Sequence, residues 1–108
     1  MMQTQEIQKR FNQVEQSIHH AAQVCQSTNS VPMDLKDCIQ QMDQESGQAK
    51  QKMQGQDQQQ MIQCVDRLEE LGDRARDACE RAGNVDGELK NAVMQAHREL
   101  SDLKHQLH

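Results

Sequence analysis

The stretch SGQAKQKMQGQDQQQ, Ser46 to Gln60, decides how this chain folds. On either side of it apolar residues recur at heptad spacing. Within it the phase slips, because Met53 to Met61 is a step of eight residues rather than seven. A glutamine-rich run of this kind can be a linker, a helix surface or a turn. If it continues as helix, one rod runs from Pro32 to Ala82, about 75 Å at ~1.5 Å per residue, with a stutter in its seam. Such a rod would make a three-helix protein that needs a second copy. If the chain turns, four helices result. Gly55 is a suitable helix stop and Asp57 a suitable N-cap, so the residues favour a short turn around Gly55 to Asp57.

Working outward, the first segment places Ile7, Phe11, Val14, Ile18, Ala21 and Cys25 at alternating steps of four and three, the spacing of a coiled-coil seam. Thr28-Asn29-Ser30 supplies turn chemistry, and Pro32 suits the first position of a helix. The second segment carries Leu35, Ile39, Met42, Ser46, Ala49 and Met53. Its seam falls from large to small residues, which predicts either loose packing or a close approach to a neighbour. The third shows Met61, Cys64 or Val65, Leu68, Leu71 or Gly72, Ala75, Cys79 and Ala82, and ends at Gly83-Asn84, where a left-handed cap is cheapest. Asp86 then caps a fourth, with Leu89, Val93, Ala96, Leu100, Leu103 and Leu107. Four helices, about 3–27, 32–54, 57–82 and 86–107, joined by short loops, make antiparallel neighbours. The expected fold is therefore an all-α, up-down-up-down four-helix bundle spanning residues 1–108 as one domain.

Composition narrows the function. The chain has 108 residues, a net charge of -5, one Phe, no Trp and no Tyr. Leu, Ile, Val and Phe number 18, which leaves a lean core supplemented by seven Met; methionine fills gaps but specifies shape weakly. A mildly acidic balance gives no electrostatic footprint for nucleic acid or anionic lipid. No stretch has the length of a membrane span or the apolar core of a signal peptide, so the expected setting is cytoplasmic, where thiols stay reduced.

The four cysteines admit three readings. Cys25 and Cys38 flank the one proline and would lie within roughly 5 Å of one height, so a disulfide is geometrically open. Cys25, Cys38 and Cys79 fall toward one end of the bundle and make a candidate thiol or metal site. The plainest reading makes Cys25 and Cys79 small core residues, with Cys38 and Cys64 at its margin. Cys64 and Cys79 stand about 22 Å apart along one helix and cannot bridge. No C-x-x-C occurs.

The histidines carry less. His19-His20 and His97 would reach similar heights if the first and fourth helices pair, but the di-iron bundle pattern of two Glu-x-x-His motifs is missing. They read as surface residues flanking that seam, with Glu15 and His19 a solvated pair. The charge-dense run Asp66 to Gly83 reads as an exposed face laced by Glu70–Arg74 and Asp77–Arg81 at i,i+4. No metal, cofactor or catalytic residue is assigned. The leading expectation is a non-enzymatic helical protein that binds itself or another helical protein. Its face would be the first and fourth seams: Ile7, Phe11, Val14, Ile18, Leu89, Val93, Leu100 and Leu103. The alternative is a metal-binding or thiol-redox sensor using Cys25, Cys38 and Cys79.

Overall fold

In the computed structural model the described residues are 3–55 and 57–108, with Met53 described by its backbone alone. Helices α1 (Thr4–Ser27), α2 (Met33–Met53), α3 (Gln58–Ala82) and α4 (Gly87–Leu107) follow one another through short loops. There is no rod through Ser46 to Gln60. Helix α2 ends at Met53, and the Gly55 amide closes a tight last turn by donating to Lys52 O at 3.1 Å. Helix α3 starts afresh because the Asp57 carboxylate accepts from the amides of Gln59 and Gln60, satisfying donors that have no partner within the helix. Gln56, inside the expected turn, and the Met53 side chain, expected on the seam, lie outside the described residues.

Each helix starts one residue later than its pattern implied, since the capping residue stands outside the helix. Pro32 is one such case: with φ -55° and ψ 140° it precedes the helix, and Met33 takes the first position expected for Pro32. Gly83 adopts φ 74°, the left-handed cap foreseen at the end of α3, and Asp86 caps α4 by accepting from the Glu88 amide.

The helices pack as a ring in which α1 contacts α2, α2 contacts α3, α3 contacts α4, and α4 returns to α1. Polar ties across each interface prove the neighbours antiparallel, because rising numbers on one helix meet falling numbers on the next. Glu15 meets Lys50 while His19 meets Asp43, and Asp34 meets Arg81 while Glu45 meets Arg67. Between α3 and α4, Asp66, Glu69 and Asp73 meet His108, Lys104 and His97. Closing the ring, Arg10 donates to Gln106 and Ser17 to Glu99.

All four seams point inward. Leu35, Ile39, Met42 and Ala49 are buried on α2, and the seam's polar member, Ser46, is 1% exposed with its hydroxyl donating to Asp43 O at 2.8 Å. The degraded seam of α2 thus packs with small residues and a satisfied hydroxyl. Among the described residues the one large hydrophobic side chain left exposed is Met33, at 70%. None of their helices is long and apolar enough to cross a membrane.

Candidate functional site

The structure's tightest cluster of chemistry-bearing side chains lies between α3 and α4. Glu69 and Asp73 are four residues apart, so they share one face of α3. Gly72 lies on the same flank, where a Cβ would sit 3.5 Å from Cδ2 of the His97 ring and 3.7 Å from the His97 Cα. The two helices therefore approach closely here, and the imidazole lies against α3 rather than out in solvent. His97 Nε2 is 2.5 Å from Asp73 Oδ1 and 3.9 Å from Glu69 Oε2. One ligand-type atom from each of the three lies within 4.8 Å of the other two. The Glu69 side chain is 12% exposed and that of His97 16%, against 41% for Asp73. Lys104 donates to Glu69 Oε1 at 3.1 Å, and this bond, then the carboxylate's charge, hold the Lys104 ammonium above its usual range. Arg76 stands 4.0 Å from Asp73.

Sequence spacing alone did not expose this cluster. Neither Glu69 nor Asp73 stands out within the charge-dense run Asp66 to Gly83, and spacing puts His97 among surface residues flanking the seam with α1. The signal available was Glu-x-x-x-Asp with an intervening glycine, and it becomes meaningful only once the register between α3 and α4 is known. His19 and His97 do not converge: His19 turns to Asp43 on α2, and Glu15 to Lys50. On α3, Glu70–Arg74 forms as expected at 3.2 Å, whereas Arg81 reaches across to Asp34 and leaves Asp77 to Arg76.

All four cysteines are free, so the Cys25–Cys38 bridge left open by spacing is not formed. Cys38 turns instead toward α3, its thiol donating to Leu71 O at 3.1 Å. Cys25 and Cys79 are buried and near enough for a charge on one to raise the pKa of the other. Asp34 raises both Cys38 and Cys79, whereas the lowering charge at Cys38 is that of Arg74 and neither of the other two thiols acts on it. Burial pushes every thiol above the ordinary value, against a smaller lowering by Lys36, Arg74, Lys52 and Lys90 respectively. Thiols of this kind are protonated and sluggish at neutral pH.

The eight residues expected as a docking face lie inside the chain's own core. Ile7, Phe11, Val14, Ile18, Leu89, Val93, Leu100 and Leu103 are all 3% exposed or less. A heptad seam looks the same from sequence whether its partner is another chain or the next helix of the same chain. Here each seam is covered by the other three helices, and a second protein could reach these residues only if the bundle opened.

Two broad surface concavities remain. One, about 740 Å³, runs between α2 and α3 over Cys38 and Leu71, with Asp37, Arg74, Asp77 and Glu80 on its walls. The other, about 710 Å³, lies where the α1–α2 and α3–α4 loops meet, beside Val31 and Val85. The chain matches no known protein-family model, and neither the curated proteins nor the solved structures contain a significant match to it.

Proposed function

We propose that this chain is a non-catalytic helical protein that acts by contact with another protein, through the groove between α2 and α3. The carrying observation is that the four helices cover their own apolar seams, so any lasting contact has to be made by polar surface. The α2/α3 groove, about 740 Å³, offers both shape and charge. Its walls present the carboxylates of Asp37, Asp77 and Glu80 around Arg74, above a floor formed by Leu71 and the half-buried Cys38. That pattern suits a helical segment bearing basic residues and a small apolar ridge. A second copy of this chain is a poorer occupant, because two molecules each at -5 repel. The raised thiol pKa values weigh against the thiol-sensor alternative.

Charge reversal tests the reading. Asp37→Lys and Asp77→Lys alter exposed positions and should leave the helical circular dichroism unchanged while abolishing capture of a specific partner by crosslinking. Asp102→Lys, on the exposed face of α4, should capture that partner as well as the unaltered chain does. A protein that stays monomeric in sedimentation, and whose captured set is the same for all three variants, would defeat the proposal.

A further inference from the structure

We infer that Glu69, Asp73 and His97 form a binding site for a single divalent transition-metal ion at the α3/α4 interface. Around a tetrahedral ion with bonds of about 2.0–2.2 Å, ligand atoms stand about 3.4 Å apart. The separations of His97 Nε2 bracket that value, at 2.5 Å to Asp73 Oδ1 and 3.9 Å to Glu69 Oε2. All three ligand atoms fall within 4.8 Å of one another, close enough for one ion to reach them all.

The surroundings hold the donors in place. Lys104 occupies Glu69 Oε1, which leaves Oε2 as the oxygen on the His97 side. The imidazole lies against α3 beside Gly72, where an added Cβ would make ordinary van der Waals contact with the ring. These are the supporting contacts that fix ligand orientation in metal sites. Two carboxylates four residues apart on one helix repel each other, and a cation between them relieves that repulsion. Asp73 is the exposed member and marks the side from which an ion enters and where water completes the coordination.

The donor set selects the class of ion. An imidazole nitrogen with two carboxylate oxygens suits zinc, cobalt, nickel or manganese, whereas calcium and magnesium prefer oxygen alone. The His97 Nε2 lone pair must face the ion. Whichever partner carries the proton of the His97–Asp73 hydrogen bond, that proton leaves to solvent as the metal enters and the Nε2–metal bond takes its place. This site lies on α3 and α4, and none of its three donors belongs to the Cys25, Cys38 and Cys79 set considered from spacing.

The test is a titration of the full, metal-stripped chain with cobalt(II), followed by displacement with zinc(II). The expected result is saturation at one equivalent, with ligand-field bands but without the charge-transfer band of a cobalt thiolate. His97→Gln and Asp73→Asn should each weaken binding at least tenfold while circular dichroism shows the helices intact. His19→Gln, which breaks the histidine–carboxylate pair between α1 and α2, should change nothing. Histidine ring resonances of the unaltered chain give a second measurement that does not depend on a variant folding: zinc should move those of His97 and leave those of His19 and His20. Absence of saturable binding, a thiolate band, or affinity unchanged by the His97 and Asp73 variants would each overturn the site.

Discussion

Phe11 gives the sharpest test of whether the seams face inward. It is the chain's one aromatic residue and is 1% exposed, packed in the core with Ile7, Val14 and the α4 seam. Phe11→Ala removes a ring whose burial contributes about 1.5–3 kcal/mol, and the cavity left behind adds to the loss, for a usual total of about 3–5 kcal/mol. A shallow groove of about 170 Å³ between α1 and α2 borders Phe11, so the helices have room to close in and the cost should fall near 3 kcal/mol. A domain of this size has only about 5–15 kcal/mol of stability in all. With a urea slope of about 1–3 kcal/mol per molar, the unfolding midpoint should drop by about 1–3 M. The absence of Trp and Tyr means the transition has to be followed by helical circular dichroism rather than intrinsic fluorescence. A loss under ~0.5 kcal/mol, the size usual for a surface substitution, would refute the buried position and restore the outward docking face.

Other substitutions separate backbone effects from packing. Gly47→Ala should raise stability by roughly 0.5–1 kcal/mol, since nothing lies within 4 Å of the added methyl and the helix gains a better former; Gly83→Ala, at φ 74°, should lower it by about 1 kcal/mol. Both are read from urea midpoints. Asp57→Ala removes the carboxylate that accepts from two amides of α3 and should cost about 1 kcal/mol, with hydrogen exchange rising first at Gln59 and Gln60. The thiols set an alkaline limit. Each has a folded pKa above the ordinary 9.0, so above about pH 9 the unfolded chain loses these protons while the folded one keeps them. Their contribution is intact below pH 9 and fades as pH climbs through the raised values, which urea midpoints measured against pH should show in the native chain and not in a four-serine variant. Alkylation of Cys25 and Cys79 at neutral pH should occur only on unfolding.

The inward stripe of each helix was legible in sequence because burial imposes a period, and Ile7 to Cys25 and Leu89 to Leu103 follow it closely. The turn at Gly55 to Asp57 was legible because a capping carboxylate is a local device, acting on amides two and three residues ahead. What covers a seam is a different matter. Phe11 and Leu100 obey the same heptad rule whether they meet another protein or each other's helices, and only the closed ring decides. Cross-helix partners were equally hidden: Arg81 prefers Asp34, 47 positions away, over Asp77 one turn back. The Glu69, Asp73 and His97 cluster depends on an α3/α4 register that no local spacing encodes.

The closed ring also has a consequence for how the bundle forms and comes apart. Three of its interfaces join helices that follow directly in sequence, so each can zip up as a hairpin across a short loop. The α1/α4 interface joins the two extremes, Arg10 to Gln106 and Ser17 to Glu99, and carries the largest loop-closure entropy in the fold. It is the natural seam for opening. If α1 then also parts from α2, its stripe of Ile7, Phe11, Val14 and Ile18 is exposed. Opening at this interface therefore exposes apolar surface that the closed ring hides, on one helix pair.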